Sequence, residues 1–344
     1  MLIERVISLA ERIPLPDPLI RFGVKSLVEQ SRIKLDKPDP AREQRFAADM
    51  VNFPVALHTD SANAQHYEVP ADFFRLVLGP RRKYSCCFFE HPGSTLADAE
   101  LHALERTAAH ADLRDGMRIL ELGCGWGSLS LFMAERFPSS RILAVSNSAS
   151  QRSAILAMAA ERNLTNLDVV TADMNTFQPE GGFDRVVSVE MFEHMSNWSE
   201  LLTRCKAWLA PDGRLFLHVF THKHASYRFD HTDPVDWIAK HFFTGGIMPS
   251  HALPHCFEQI FTVEQEWRWS GEDYAKTARL WLANFDRNAD AIDAILRPVY
   301  GTDTPLWKRR WRWFFLATEG LFGHASGDVW GVGHYRLRPN RATS

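Results

Sequence analysis

The chain has 344 residues and a formal net charge of −3. This near-neutral balance argues against a nucleic-acid-binding protein, which usually carries a strongly basic domain. The five cysteines are scattered and lack the paired spacing of a zinc site or a disulfide framework, so we expect a reducing compartment and no metal. No run of about 18 apolar residues is present that could span a bilayer. We therefore expect a cytoplasmic protein without stable membrane insertion.

The first part of the chain, from residue 1 to about residue 60, has mostly helical patterns that are broken by prolines. Its N-terminal residues have the apolar spacing of an amphipathic surface helix, not the order of a secretory signal. A further helix is predicted over 98–110. From there short β-rich runs alternate with helical stretches, which is typical of βαβ units around a parallel sheet. The predicted strands are 118–122, 142–146, 167–171, 185–189 and 214–219.

The chain becomes aromatic and less regular after residue 220. Helices are predicted around 272–285 and 305–319. Strands are predicted over 261–269 and 329–337, and they would form a late antiparallel pair on the otherwise parallel sheet.

The strongest motif is a glycine-rich turn after the first predicted strand. The strand runs into Gly123, Gly125 and Gly127, and a helical pattern begins directly afterwards. Glycines at such a turn allow the backbone to bend tightly and to approach a ligand at the carboxyl edge of the sheet. The turn therefore predicts a cofactor site.

Two cofactors are bound by turns of this kind. A dinucleotide site needs the spacing G-x-G-x-x-G with a pyrophosphate on the helix N-terminus. Here the third glycine, Gly127, comes one residue too early for this pattern. The position at which the dinucleotide pattern needs its third glycine is occupied by Ser128. Glu121, just before the turn, would repel a pyrophosphate but suits the cationic amino group of S-adenosylmethionine. The turn therefore predicts S-adenosylmethionine.

Residues after the second and third strands extend the predicted cofactor site. Ser146 and Asn147 replace the acidic residue that a dinucleotide site would carry at the end of the second strand. Asp173, followed by Met174, comes after the third strand, where its carboxylate is placed to accept a hydrogen bond from an adenine amino group.

The fourth predicted strand runs into a candidate catalytic group, Glu190, Glu193 and His194. If the chain turns helical here, this spacing puts the three side chains on one face beside the ligand. Methyl transfer needs a lone pair on the acceptor, so a carboxylate or imidazole would remove the proton of an amine, and carboxylates would stabilise the charge that grows on nitrogen. The alternative is that Glu193 and His194 cap a helix or pair with surface charges.

These motifs in combination resemble the cyclopropane-fatty-acid synthase and mycolic acid methyltransferase superfamily, and more narrowly its coclaurine N-methyltransferase-like branch. The resemblance covers roughly residues 60–337. Beside the glycine turn, the segments that carry it are 62–67 (ANAQHY), 83–87 (KYSCC), 146–148 (SNS) with Gln151, 190–195 (EMFEHM), 218–223 (HVFTHK) and 245–250 (GGIMPS).

The resemblance implies an α/β fold of the class I methyltransferase type. This fold has a Rossmann-like, doubly wound sheet of seven strands with an antiparallel last strand, together with helical N-terminal and acceptor-binding insertions. The resemblance also implies that Tyr84 and Ser85 close over the cofactor and that Gln151 assists on its ribose side. The two glutamates and the histidine of segment 190–195 would line an amine site.

The lipid-modifying members of the superfamily supply the alternative function. The resemblance implies that they hold a bicarbonate ion, which takes a proton from the methylated carbocation, with residues that match Cys86, Glu193, His218 and Tyr274. All four residues are present here, so they do not distinguish a lipid-modifying enzyme from an N-methyltransferase. Glu190 does, because the lipid enzymes usually carry a glycine there, where a carboxylate would add charge to an apolar pocket.

A small-molecule amine is therefore the favoured methyl acceptor, with a small thiol or an unsaturated acyl chain as alternatives. A binding protein that has lost catalysis is disfavoured because the catalytic candidates are all intact. We expect three regions. They are a helical N-terminal region and cofactor lid (1–97), a cofactor-binding core (98–220), and acceptor-binding helices with the last two strands (221–344).

The segment 307–316 mixes basic and aromatic residues, a composition that suits anionic lipid heads or nucleic acid. Its aromatic residues recur at helical spacing, which favours packing beneath the acceptor pocket with the basic residues solvated.

Overall fold

The computed structural model describes residue 7 and residues 9–37, 39–57, 69–233 and 236–340. The motif at 62–67 and the first residues of the predicted N-terminal helix lie outside these described residues. Within the described part of the chain, no helix has the length and apolar character needed to cross a membrane.

A seven-stranded sheet forms the centre of the molecule, and a separate pair of short strands lies beside it. The strands are β1 (Arg118–Leu122), β2 (Arg141–Ser146), β3 (Leu167–Thr171), β4 (Phe183–Val189), β5 (Leu209–His222), β6 (Tyr227–Arg228), β7 (Ile247–Met248), β8 (Phe261–Ser270) and β9 (Trp330–Pro339).

The order of the large sheet is β3-β2-β1-β4-β5-β9-β8, and the pair consists of β6 and β7. The first five strands in this order pair in parallel. β9 lies between β5 and β8 and is antiparallel to both. The predicted parallel core, the late antiparallel pair and the fold class are confirmed.

β5 is longer than the predicted 214–219. It begins at Leu209, which pairs with Phe183, and the register then shifts so that Arg214 pairs with Arg185. Residues 212–213, just before the predicted strand, therefore lie in an irregular part of the observed one. This irregularity arises from tertiary pairing with β4, which a local pattern does not reveal.

Helices cover both faces of the sheet and form a third layer over one end. They are α1 (Asp17–Leu35), α2 (Arg42–Asp49), α3 (Ala71–Val77), α4 (Leu96–His110), α5 (Ser128–Arg136), α6 (Ala149–Glu161), α7 (Trp198–Trp208), α8 (Trp237–His241), α9 (Gly271–Arg287), α10 (Ala289–Tyr300) and α11 (Thr304–Phe322).

The sheet is buried on both faces because successive residues of each central strand point to opposite sides. On one face, Ile119 and Val187 pack in a core cluster with α4, α5 and α6. On the other face, Leu120 and Val186 pack in a cluster with α7. Because both faces are buried, the sequences of the central strands are nearly continuous apolar runs.

A third core cluster joins α1, α3, α9, α10 and α11 above the sheet. Trp311 is fully buried there, and its ring lies 4.7 Å from Phe73 and 5.0 Å from Phe242. The neighbouring arginines are paired with acids. Arg310 Nη2 lies 2.9 Å from Glu11 Oε1, for example. The packing predicted for segment 307–316 is confirmed, although its arginines form ion pairs as well as meeting solvent.

The Trp311→Ala variant tests how much this third cluster contributes to the stability of the fold. Truncating a buried tryptophan removes apolar contacts and leaves a cavity, so the free energy of unfolding should fall by about 3–5 kcal/mol. Urea unfolding followed by circular dichroism measures the loss. The partly exposed Trp313→Ala variant is the control, and equal losses in the two variants would contradict the assignment of Trp311 to the core.

Candidate active site

A cavity opens at the carboxyl ends of the parallel strands, between the sheet and helices α9 and α11. The loops that follow β1, β2, β3 and β4 each contribute residues to its lining. The loops after β1 to β3 carry predicted cofactor residues, and we call this part of the cavity the cofactor half. The lining residues include Gly123 and Gly125 after β1, Ser146 and Asn147 after β2, Asp173 and Met174 after β3, and Glu190 and Met191 after β4.

The three glycines of the turn have different roles. All have positive φ, at 78° for Gly123, 51° for Gly125 and 82° for Gly127. A Cβ at Gly123 would lie 2.5 Å from the Met191 side chain, and one at Gly127 would lie 2.7 Å from Ile155. A Cβ at Gly125 would meet nothing within 4 Å. Gly125 therefore faces open space, whereas the other two allow close packing.

Ten of the eleven predicted cofactor residues line the cavity. The exception is Gly127, which directly precedes α5 as its N-cap and lies close to Ile155. Ser146 Oγ donates a 2.7 Å hydrogen bond to Gln151 Oε1, and Gln151 is 2% exposed. The turn after β3 is held by Asp173 Oδ1, which accepts from the Asn175 N–H at 2.7 Å.

Glu121 lines the cavity and is 2% exposed. Burial raises the pKa of its carboxyl to about 7, although the hydroxyl of Ser130 donates a hydrogen bond to it and opposes the shift. A ligand cation beside this carboxyl would favour its ionised form.

Lys83, Trp126 and Ser128 are among the lining residues that sequence reasoning did not assign to the cofactor. Among the described residues, Trp126 Nε1 and Ser128 Oγ are buried and have no hydrogen-bond partner. They offer two donors to a bound carboxylate, which fits the amino acid part of S-adenosylmethionine. Lys83 is 2% exposed, and its ammonium donates to the Cys86 carbonyl at 2.7 Å.

Glu190 is the first residue after β4 and has a φ of 48°. Its backbone N–H donates to the His218 carbonyl at 2.8 Å, which directs the side chain toward the cavity. Oε1 accepts from the Cys86 N–H at 2.9 Å and contacts His218 Nε2 at 3.2 Å. Oε2 accepts from the Tyr274 hydroxyl at 2.7 Å. One carboxylate is thus bound by three separate segments.

The predicted helical face for Glu190, Glu193 and His194 is wrong. Glu190 is left-handed, and a single 3₁₀ turn over Phe192–His194 follows it. Glu190 and His194 still line the cavity, and the His194 ring stacks on Phe243 at 4.2 Å. Glu193 is not part of the cavity lining and is fully buried.

Glu193 is held behind the cavity wall. Its Oε1 accepts from the Phe220 N–H at 2.6 Å, and its Oε2 has no partner among the described residues. Burial and the charge of Glu190 raise the pKa of Glu193 well above its usual range. Burial also raises the pKa of Glu190, but Lys83, the Cys86 N–H and the Tyr274 hydroxyl oppose that shift. The contacts of Glu190 therefore favour its ionised form more than the surroundings of Glu193 do.

Cys86 and His218 contribute as neutral groups. Burial raises the pKa of the Cys86 thiol well above its usual range, so its backbone N–H is the group that acts on Glu190. Burial lowers the pKa of His218 well below its usual range. The described residues contain no group of three or more His, Cys, Asp or Glu side chains that could hold a metal ion.

Residues 57–331 match the sequence pattern of a family described as Mycolic acid cyclopropane synthetase. The chain belongs to this family. It is an S-adenosylmethionine-dependent methyltransferase, consistent with the glycine turn, Glu121 and the two unpaired donors at the cofactor half of the cavity.

Within this methyltransferase family, relatives from both branches are similar to the chain. It is 35% identical to the (S)-coclaurine N-methyltransferase of Thalictrum flavum subsp. glaucum, over 92% of this chain and 86% of that protein. It is 30% identical to the cyclopropane-fatty-acyl-phospholipid synthase of Escherichia coli K12, over 78% and 66%. A coclaurine N-methyltransferase structure with bound N-methylheliamine and SAH aligns with a TM-score of 0.94 at 29% identity, over 98% of this chain and 100% of that one.

The Gly125→Val variant should lose cofactor affinity because the side chain would enter the open space above the turn. We expect binding of S-adenosylhomocysteine to weaken by at least about tenfold, or 1.4 kcal/mol. Isothermal calorimetry measures it, and the native enzyme should show no binding of NAD. Gly116→Val is the matched control because Gly116 also has positive φ and an open Cβ position, but lies outside the cavity lining. Equal affinities in the two variants would mean that the ligand lies elsewhere.

Glu121 should make cofactor binding depend on pH. The free carboxyl titrates with a pKa of about 7, and a bound cationic amino group lowers that pKa. Affinity for S-adenosylhomocysteine should therefore be full above about pH 8 and should fall as the pH is lowered through 7, with proton release on binding. Calorimetry in two buffers of different ionisation enthalpy measures both effects. Glu121→Gln should bind with little dependence on pH, and the same slope in both proteins would contradict the assignment.

Proposed function

We propose that this enzyme methylates the nitrogen of a small amine and that Glu190 is its general base. The observation that carries the proposal is the set of donors on the Glu190 carboxylate. Cys86, His218 and Tyr274, three of the four residues that the superfamily resemblance assigns to bicarbonate, all bind this carboxylate. The side chain thus occupies the donors that a bicarbonate ion would need.

This arrangement disfavours the lipid reaction. A bicarbonate ion would have to displace the carboxylate from its donors or lie against its negative charge, and like charges at such distances repel strongly. An alkene acceptor also brings no cation to balance Glu190. A protonated amine does, so the charge of the site matches an amine.

The reaction begins with a proton transfer within the site. Glu190 takes one proton from the incoming ammonium, which leaves the nitrogen with a lone pair. When bound, S-adenosylmethionine supplies a methyl group on a sulfonium, and the C–S electron pair stays on sulfur as the N–C bond forms. The nitrogen becomes positively charged again, while the proton taken from the amine stays on Glu190 until the product leaves and it is released to solvent. The Tyr274 and His218 contacts hold the Glu190 side chain in place throughout.

The acceptor half of the cavity is largely aromatic. Phe220, Phe243 and Phe314 line it, and the His194 ring is stacked on Phe243. We infer that this wall binds an amine attached to a flat apolar ring system. His194 lies in the lining and is a second candidate for moving the amine proton.

Glu193 acts through its neighbours in this proposal. Its buried carboxyl holds the Phe220 N–H, and Phe220 forms part of the acceptor wall. The base role predicted for Glu193 from sequence is therefore replaced by a positioning role.

The Glu190→Gly variant tests the proposed function. Loss of the base should lower kcat for the best amine by about 100- to 10,000-fold and should raise its KM, because the cation loses its partner. Mass analysis after incubation with amines, thiols and unsaturated phospholipids measures the products. Added formate should restore part of the amine activity because the three donors are left without an anion.

The native enzyme should leave phospholipids unchanged in the same assay. Methyl-branched or cyclopropane acyl chains formed by the native enzyme, at rates that match its best amine, would refute the amine proposal. Calorimetry with S-adenosylhomocysteine is the control, since cofactor affinity should be close to native in Glu190→Gly.

A further inference from the structure

Three histidines form a hydrogen-bonded row that leads from Glu190 to the surface. His218 Nε2 lies 3.2 Å from Glu190 Oε1, and His218 Nδ1 lies 2.8 Å from His334 Nε2. His334 Nδ1 lies 2.8 Å from His110 Nδ1. His218 and His334 are 0% exposed, whereas His110 is only partly buried. No sequence motif pointed to His334 or His110.

The fold fixes the position of each histidine in this row. His218 and His334 are direct partners in the antiparallel register of β5 and β9. His110 is the last residue of α4, and its ring stacks on Trp267 of β8 at 3.9 Å with 3° between the planes. The three rings are therefore held by three strands and a helix end.

The rings stay neutral near pH 7. Burial lowers the pKa of His218 and of His334 well below the usual range, and the charge of Lys83 adds to both shifts. Burial lowers the pKa of His110 to about 4, and Arg106 and Arg336 add to this shift. The charged groups that face the row are thus cations, apart from Glu190 at its inner end.

A neutral imidazole has one donor and one acceptor nitrogen, so each bond in the row dictates the next. If His218 Nε2–H donates to Glu190, then His218 Nδ1 must accept from His334 Nε2–H. The remaining nitrogen of His334 must then accept from His110 Nδ1–H. With a proton on Glu190 Oε1 instead, all three directions reverse.

We infer that His334 and His110 are positioning residues, which fix the tautomer of His218 so that it donates to Glu190 and keeps that carboxylate ionised. The inference rests on the proposed function, because an ionised Glu190 is the group that takes the amine proton. Without His334, His218 is free to place its proton on Nδ1 and to turn a lone pair toward the carboxylate. Glu190 then ionises only at a higher pH.

The tautomers of the native enzyme provide a test that needs no substrate. ¹⁵N–¹H correlation spectra of histidine-labelled native protein at pH 8 should show protons on His218 Nε2, His334 Nε2 and His110 Nδ1. A proton on His218 Nδ1 would overturn the inference. This result does not depend on which acceptor is methylated, so it separates a failure here from a failure of the proposed function.

The pH profile of kcat/KM for the best amine provides the second test. In His334→Phe the acid limb should move up by about one pH unit, because a hydrogen bond to a charged group is worth about this much. His334→Gln, whose amide can still donate to His218, should keep the limb near its native position. His110→Phe preserves the stacking and should move the limb in the same direction by less.

His255→Gln is the control because His255 is exposed and pairs with Glu266, away from the row. An unchanged acid limb in His334→Phe would overturn the inference, and so would a His334→Gln limb that matches His334→Phe. If His334→Phe does not fold, the tautomers of the native enzyme and the limb of His334→Gln decide the question.

Discussion

A single buried carboxylate organises the active site. Glu190 forms hydrogen-bond contacts with the segment before α4, with β5 and with α9, which are far apart in sequence but converge on its two oxygens. A buried carboxylate with fewer donors would take up a proton or destabilise the fold. The cofactor half and the acceptor half of the cavity are therefore joined by one charge and its partners. Loops that could otherwise move apart are held in one geometry.

The second glutamate shows how environment separates two chemically identical groups. Glu190 accepts from the Cys86 N–H and the Tyr274 hydroxyl and lies near the Lys83 cation, whereas Glu193 has one backbone donor and lies against the charge of its neighbour. The same side chain therefore ionises more readily at one position than three residues later, which is why we propose Glu190 and not Glu193 as the base.

The parallel core could be predicted from sequence because its strands are short apolar runs that are buried on both faces. The bounds of β1 and β3 agree with the prediction, and the glycine turn marked the cofactor edge. The rest depended on tertiary contacts. The early start of β5 arises from its pairing with β4, and the two-residue strands β6 and β7 are too short to leave a periodic pattern.

The active site could be predicted only in part, because its geometry also depends on tertiary contacts. The types of residue after β4 indicated base chemistry, but the left-handed backbone of Glu190 breaks the helical spacing on which the convergence argument relied. Lys83 belongs to the motif at 83–87, but nothing in the sequence indicated that its ammonium group is buried. The partnership of His218 with His334 follows from a strand register between residues 116 positions apart, which no local pattern contains.

The position of β9 between β5 and β8 has a consequence for how the protein folds. Among the described residues, β8 pairs with no strand of the sheet except β9. Both strands therefore join the sheet only when β9 pairs with β5. Contacts over such long separations form later than local ones because more chain entropy must be lost first. The parallel core can assemble early, with a formed cofactor turn, while His218 still lacks its neighbour. The His218–His334 contact therefore forms only when β9 pairs with β5.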